Sequence, residues 1–290
     1  MNAWQSWSGR RSLAVALCLV LCASAGLAQQ PAPQPPAQRG PAGQGAPRGP
    51  MTIQPDARTQ QRSYDFKDTG EKLSYVLFVS SKVSKDRKAP LIVALHGLGG
   101  DGNFLVRDRL VDLAEAGGYI VAGPLGYNVS GWYGSPPIAM GGPVAPNLAE
   151  LSEKDVMNVL EMTRKEFNVD ADRTYLLGHS MGGAGALFLG QKHAKEWAAV
   201  VALAPAAFLM EQDRAQILGT MQKANVPVVI FQGDKDAVVP PDNTRRWGAT
   251  LKELGMKGRY VELAGADHGT VIANSMPEAF ALFGESVRKH

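Results

Sequence analysis

The residues Thr174 to Gly183, TYLLGHSMGG, carry an apolar run straight into a glycine-flanked serine. The run TYLL has the composition of a buried strand, and the spacing from Met181 to His193 predicts a helix. A sharp turn between a strand and a helix leaves little room beside its central residue, which accounts for Gly178 and Gly182. Such a turn exposes a serine hydroxyl at the edge of a sheet. The stretch therefore predicts an α/β sheet that presents Ser180 as a nucleophile.

Short apolar runs alternate with longer amphipathic stretches on both sides of this turn. All-apolar strands that alternate with helices predict a mostly parallel sheet with helices on both faces, here in one domain over residues 63–290. Polar groups at the carboxyl ends of such strands form the site. The predicted strands are Leu73 to Ser80, Pro90 to Leu95, Tyr119 to Pro124, Thr174 to Leu177, Ala198 to Ala204, Pro227 to Phe231 and Arg259 to Leu263, and further predicted helices are Glu153 to Phe167 and Pro277 to Lys289.

A nucleophilic serine needs a general base, and the chain has five histidines. His290 is the last residue of the sequence, and His193 falls near the end of the predicted helix after the serine. His179 is next to the serine, but we expect the turn to direct its side chain elsewhere. His96 belongs to the turn after the strand PLIVAL. His268 remains, in a loop after the final strand, and we predict it to be the base.

The base needs an acidic partner that orients its ring. The strand Pro227 to Phe231 leads into GDKDAVVP, so either Asp234 or Asp236 could reach His268. Asp267 is a third candidate, although side chains of adjacent residues usually diverge.

A loop rich in glycine follows the strand PLIVAL, with the sequence His96-Gly97-Leu98-Gly99-Gly100. An oxyanion hole needs two backbone N–H groups, and we predict that Leu98 and Met181 supply them. The loop could instead cradle a phosphate, but no Lys follows it as in a phosphate-binding loop.

A second long loop, Gly126 to Pro146, holds three aromatic residues: Tyr127, Trp132 and Tyr133. Because it follows a predicted strand, it should lie at the rim of the site. Its aromatic rings could stack on a phenolic or acyl group, or they could pin the loop to the body of the domain. We keep these three residues as candidate substrate contacts.

Together HGLGG, GHSMGGAGAL, GDKDAVVP and DHG resemble the α/β-hydrolase superfamily. More narrowly, the chain resembles bacterial secreted esterases of the polyhydroxybutyrate-depolymerase and feruloyl-esterase kind and prolyl-oligopeptidase-like hydrolases, over about Ala89 to Gly269. The resemblance implies an acid in the pattern G-x-x-D, which matches Gly233 and Asp236. It also implies a serine hydrolase without metal or organic cofactor. The chain departs from many secreted relatives in having no cysteine after Cys22, and it has no long insertion that could form a lid domain.

Hydrolysis of carboxylic esters through an acyl-enzyme is the activity that this resemblance implies. A peptidase or an acyltransferase would use the same residues, and a non-catalytic binding module on the same fold is a further alternative. The expected substrate is a small or polymeric ester.

The N-terminal 62 residues have a different composition. Arg10 and Arg11 precede the apolar run Ser12 to Leu21, which is about half the length that spans a bilayer. We predict a signal peptide over residues 1–28, exported by the general or the twin-arginine route, and a secreted or periplasmic protein. Export should remove 25 to 28 residues, and both cysteines with them. Residues 29–62 are rich in Pro, Gln and Gly and are predicted to be a disordered linker.

The net charge of +3 comes from this N-terminal region. It holds six of the 30 basic residues and one of the 27 acidic residues, which leaves 24 and 26 in the rest of the chain. A domain so close to neutral gives no reason to expect a nucleic acid as partner, and the short apolar run gives none for stable insertion into a membrane.

Overall fold

The computed structural model describes residues 53–138 and 146–288. It contains eight strands and six α-helices. The predicted signal peptide and residues 29–52 of the predicted linker lie outside the described residues. The strands are Gln60–Phe66 (β1), Glu71–Val79 (β2), Ala89–Leu95 (β3), Ile120–Pro124 (β4), Val169–His179 (β5), Ala199–Leu203 (β6), Val228–Gly233 (β7) and Gly258–Leu263 (β8), and the helices are Asp108–Gly117 (α1), Leu148–Glu166 (α2), Met181–Lys192 (α3), Arg214–Lys223 (α4), Pro241–Glu253 (α5) and Thr270–Glu285 (α6).

The eight strands form one sheet in the order β1-β2-β4-β3-β5-β6-β7-β8. The first two pairings, β1 with β2 and β2 with β4, are antiparallel, and all pairings from β4 to β8 are parallel. The carboxyl ends of β3, β5, β6, β7 and β8 therefore meet at one edge. This arrangement confirms the predicted α/β-hydrolase fold, and the described residues contain no inserted lid domain.

Each central strand contributes to two hydrophobic layers. In β3, Leu91, Val93 and Leu95 face the layer built with α2, α3, α4 and α5, whereas Ile92 and Ala94 face the layer built with α1 and α6. This alternation follows from the period of two along a strand. Because both faces are covered, β3 and β6 are buried along their whole length, which explains why their sequences are continuously apolar.

Strand β1 was not predicted, and it begins at Gln60, inside the predicted linker. Its sequence QQRSYDF is mostly polar because β1 is the edge strand of the sheet, so only Phe66 is fully buried. Just before β1, Arg58 pairs with Asp56 at 2.6 Å and with Asp112 of α1 at 2.7 Å. The ordered domain therefore includes residues that the composition assigned to the linker.

The last helix also differs from its predicted range. It runs from Thr270 to Glu285, with Pro277 inside it, whereas Pro277 was expected to be its first residue. Proline removes one backbone hydrogen bond from a helix interior, but its fixed φ is compatible with a helix. Val271 and Met276 are buried in the core before the proline, so packing stabilises the early turns. Helix α2 likewise begins at Leu148, five residues before the predicted start.

None of the helices in the described ranges has the length and apolar character that crossing a membrane requires.

Candidate active site

The strand–turn–helix around Ser180 has the geometry that its sequence predicts. Ser180 lies between β5 and α3 with φ 56° and ψ −115°, a conformation that non-glycine residues rarely adopt. A Cβ on Gly178 would lie 1.9 Å from the carbonyl oxygen of Gly182. A Cβ on Gly182 would lie 2.1 Å from the carbonyl oxygen of Leu95 in β3. Only glycine fits at either position. These two glycines allow the sharp turn that places Ser180 at the carboxyl edge of the sheet.

His268 pairs with Asp236 at the same edge. The Nδ1 atom of His268 lies 2.8 Å from Oδ2 of Asp236, and the carboxylate is buried. His268 follows β8, and Asp236 follows the neighbouring strand β7. Two residues that are 32 positions apart meet because adjacent parallel strands end side by side.

The other contacts of Asp236 fix its carboxylate. Its Oδ1 atom accepts hydrogen bonds from the backbone N–H groups of Val238 and Val239, with N to O distances of 2.8 Å in both cases. Burial alone would raise the pKa of Asp236, but the hydrogen bonds from His268 and from the two backbone N–H groups bring that pKa below its usual value. The carboxylate is therefore ionised and oriented toward the imidazole.

Gln232 is a site residue that the sequence analysis missed. It is the one polar side chain in the strand VVIFQG, and it is fully buried. Its Nε2 atom donates to Oδ2 of Asp236 and to the carbonyl of Val239, both at 3.0 Å. An isolated amide in an otherwise apolar strand four residues before the acid was the available sequence signal.

The other two acidic candidates bond to the backbone. Asp234 accepts the N–H of Gly265 at 2.7 Å, which ties the loop after β7 to the loop after β8. Asp267 accepts the N–H groups of Gly269 and Thr270 at the start of α6. Neither carboxylate pairs with His268.

The glycine-rich loop after β3 packs directly on the serine turn. A Cβ on Gly97 would lie 3.2 Å from Nδ1 of His179 and 3.5 Å from the Cβ of Ser180. The N–H of Gly99 donates to Val129 at 2.8 Å, which links this loop to the loop after β4. Met181 is the first residue of α3, where backbone N–H groups have no partner within the helix. Among the described residues no acceptor takes the N–H of Leu98 either.

Ser180 and His268 are not joined by a hydrogen bond in the described part of the chain. Among the described residues, the hydrogen bond of the His268 ring is the one from Nδ1 to Asp236. Catalytic hydrogen bonds are often long in structures without substrate and shorten when the substrate binds. The side chain of His179 makes no hydrogen bond to Ser180 among the described residues, and its ring centroid lies 4.6 Å from that of His268.

The aromatic residues of the loop after β4 differ in their surroundings. Tyr133 is fully buried against Gly126 and Gly185, and its hydroxyl donates to the carbonyl of His96 at 3.3 Å. A side chain with no exposed surface cannot touch substrate, so the prediction for Tyr133 is wrong. Trp132 is only 3% exposed and packs in the same layer of the core. These two rings support the alternative that the loop is pinned to the domain.

Tyr127 lies on the side of β1 and β2. Its hydroxyl donates to Glu71 at 2.6 Å, and its ring lies 5.7 Å from that of Phe66. As a substrate contact it stays a prediction. Residues 139–145 of this loop lie outside the described residues.

A buried carboxylate holds the beginning of the same loop. Asp155 of α2 accepts the N–H of Gly126 at 2.6 Å, that of Tyr127 at 3.1 Å and the hydroxyl of Tyr64 at 2.6 Å. Burial raises the pKa of Asp155. No sequence signal distinguishes Asp155, because it occurs in an ordinary helical stretch.

Within residues 53–138 and 146–288, no group of three or more His, Cys, Asp or Glu side chains could hold a metal ion.

Comparisons with known proteins concern the family and the fold. The family model Esterase matches residues 75–247. Among solved structures, a thermostable esterase is 24% identical with a TM-score of 0.60, over 80% of this chain and 64% of that one, so this chain spans less than two thirds of that esterase. A ferulic acid esterase from the anaerobic fungus Anaeromyces mucronatus is 17% identical, with a TM-score of 0.58 over 78% of this chain and 90% of that one.

A third structure, an S-formylglutathione hydrolase from Agrobacterium tumefaciens, is 16% identical with a TM-score of 0.59, over 82% of this chain and 99% of that one. At these identities the structures establish the shared fold. No curated protein sequence matches the chain.

Proposed function

This chain belongs to the Esterase family, and we propose that it hydrolyses carboxylic esters through an acyl-enzyme formed on Ser180, with His268 as base and Asp236 as its orienting acid. The pair of His268 Nδ1 and Asp236 Oδ2 at 2.8 Å, at the sheet edge that also carries the strained Ser180, is the observation that supports this most strongly. Small and polymeric esters are the expected substrates.

Acylation begins when His268 takes the proton of the Ser180 hydroxyl at Nε2 and the Oγ atom attacks the acyl carbon. Asp236 accepts a hydrogen bond from Nδ1–H, so the lone pair of the neutral imidazole is at Nε2, where the reaction needs it. The buried carboxylate then stabilises the imidazolium that forms. Gln232 and the N–H groups of Val238 and Val239 keep that carboxylate in place.

The carbonyl oxygen becomes negatively charged in the tetrahedral intermediate. The N–H groups of Leu98 and Met181 are free to donate to it, and they act at the point where the charge develops. The intermediate collapses when the C–O bond to the alcohol breaks and His268 gives its proton to the leaving oxygen.

Hydrolysis of the acyl-enzyme repeats these steps with water. His268 takes a proton from the water as its oxygen attacks the acyl carbon, and the same two N–H groups stabilise the second intermediate. The bond to Ser180 Oγ then breaks, His268 returns the proton to the serine, and the carboxylic acid leaves.

Replacing the nucleophile tests this function. Ser180→Ala should lower kcat on p-nitrophenyl esters by several orders of magnitude with the fold intact, because removing one member of a triad costs about 10⁴-fold or more. A fluorophosphonate probe should label the wild type and leave the variant unlabelled. Hydroxycinnamate esters and a polyester, assayed beside the p-nitrophenyl esters, would rank the substrates. Residual cleavage within about tenfold of wild type would contradict the proposal.

A further inference from the structure

His179, the residue directly before the nucleophile, is a buried titratable side chain that the mechanism above does not use. It is 3% exposed. Its Nε2 atom lies 2.8 Å from the backbone carbonyl oxygen of His268. A carbonyl oxygen can only accept, so Nε2 carries the proton and donates it.

The surroundings of His179 hold this tautomer. Burial, and to a smaller extent the proximity of His268, lower the pKa of His179 to about 3, so the ring is neutral at any pH at which an imidazole base works. The Nδ1 atom is buried and has no hydrogen-bond partner in the described part of the chain. It faces Gly97, where a Cβ would come within 3.2 Å. Among the described residues, the imidazole of His179 therefore makes one hydrogen bond, to the backbone carbonyl of His268.

The ring also touches two of the loops that form the site. It stacks on Phe104, with centroids 5.5 Å apart and planes at 25°, and its centroid lies 4.6 Å from that of His268. It thus lies between the loop after β3 and the loop after β8. The peptide bond to Ser180 connects it covalently to the nucleophile.

We propose that His179 is a positioning residue for the proposed reaction: its Nε2–H bond to the carbonyl of His268 fixes the loop that carries the base against the turn that carries the nucleophile. Ser180 is then linked to the backbone of His268 by one peptide bond, the side chain of His179 and one hydrogen bond. Without that hydrogen bond, only side-chain contacts and the rest of the loop set the distance between nucleophile and base. Misplacement by about 1 Å can cost about 100-fold in rate.

His179 could act as a hydrogen-bond donor to His268 or only fill space in the core. Three substitutions distinguish these two roles. In glutamine the Nε2 atom is three bonds from Cβ, as in histidine, so His179→Gln retains a donor toward His268. In His179→Asn the amide nitrogen is one bond closer to Cβ and falls short. His179→Phe retains a ring against Phe104 and has no donor.

The experiment measures the rate of acylation in the burst of p-nitrophenolate from p-nitrophenyl acetate, per serine titrated with a fluorophosphonate. His179→Phe and His179→Asn should slow the burst by about 10- to 100-fold, whereas His179→Gln should stay within about fivefold of wild type. The NMR resonance of the proton between His268 and Asp236 should broaden in the Phe and Asn variants and persist in the Gln variant.

Equal burst rates in the Gln and Phe variants, or a wild-type rate in His179→Phe, would overturn the inference. If the Phe variant did not fold, the comparison of Gln with Asn would decide in the same way. The inference rests on the proposed function, and the two fail differently. Activity that survived Ser180→Ala would overturn the mechanism, whereas a failed inference would leave the wild type and Ser180→Ala unchanged and only equalise the His179 variants.

Discussion

The two oxygens of the Asp236 carboxylate have separate tasks. Oδ1 accepts two backbone N–H groups and is thereby fixed to its own loop, while Oδ2 accepts from His268 and Gln232. The side chain is therefore oriented before any substrate binds. An amide at this position would keep the shape of the carboxylate and lose its charge.

Asp236→Asn should lower kcat/KM by about 10³- to 10⁴-fold, because the amide favours the wrong imidazole tautomer and does not stabilise the imidazolium. Asp234→Asn is the matched control two residues earlier. Its loss should be about tenfold or less, since an amide oxygen can still accept the N–H of Gly265. Kinetics of both variants, with circular dichroism as a check on folding, measure the difference. The reverse ranking would show that Asp236 is not the acid.

Among the elements of the fold, the turn between β5 and α3 packs in close contact with the end of β3. A Cβ at position 182 would lie 2.1 Å from the carbonyl oxygen of Leu95 and 2.6 Å from that of His96. These backbone atoms at the strand end could move away only if the loop that carries Leu98 shifted with them. The conformation of the turn at Ser180 and the position of the loop that carries Leu98 are thus linked through close backbone contacts at Gly182.

Gly182→Ala should therefore destabilise the protein by about 1–3 kcal/mol and also abolish most of the activity per folded molecule. Gly219→Ala is the matched control, because Gly219 lies in helix α4 and has no atom within 4 Å of the added Cβ. That variant should be neutral or more stable by up to about 1 kcal/mol, with full activity. Urea unfolding and kcat/KM of both variants test this, and equal midpoints would contradict the packing argument.

For the whole molecule, two buried histidines determine how the unfolding free energy changes at acidic pH. Burial lowers the pKa of His179 to about 3 and also lowers that of His96. The unfolded chain takes up protons at these residues near the ordinary histidine value of about 6.5, while the folded state does not. The contribution of these two histidines to the unfolding free energy is complete above that pH. It declines as the pH falls toward their pKa values in the folded state.

The unfolding free energy should fall between pH 6.5 and 4.5 by up to about 1.4 kcal/mol per pH unit from His179, and the lowered pKa of His96 adds to the decline in the same direction. Urea titrations at several pH values measure this slope. His179→Gln removes one of the two titrating groups, so the unfolding free energy of this variant should fall less steeply with decreasing pH, by the part that His179 contributes. A slope in His179→Gln equal to that of the wild type would mean that His179 takes up its proton in the folded state.

The sequence predicted those parts of the fold that follow from local rules. Continuous apolar runs identified β3, β6 and β7, and the paired glycines identified the serine turn. Strand β1 was missed because an edge strand with one buried residue looks like linker. Within the site, Tyr133 was misjudged because its burial depends on contacts with Gly126 and Gly185, 7 and 52 positions away. The contacts of His179 and Gln232 depend on how three strand ends meet, which no local pattern encodes.

The predicted signal peptide and secretion, like the roles of Ser180, Asp236 and His268, stay predictions. Sequence composition supports the former, and the geometry described above supports the latter.

The strand order has a consequence for the time at which activity can arise as the chain is made. Ser180 follows β5 in the middle of the sheet, but His268 follows β8, which is an edge strand and the last of the described strands in chain order. In the proposed mechanism, a nascent chain that ends before β8 has the nucleophile Ser180 and the loop that carries Leu98, and it lacks the base His268. Because chains emerge from the N-terminus, we expect every product of translation that ends before His268 to be inert toward esters, so that hydrolytic activity arises late in biosynthesis.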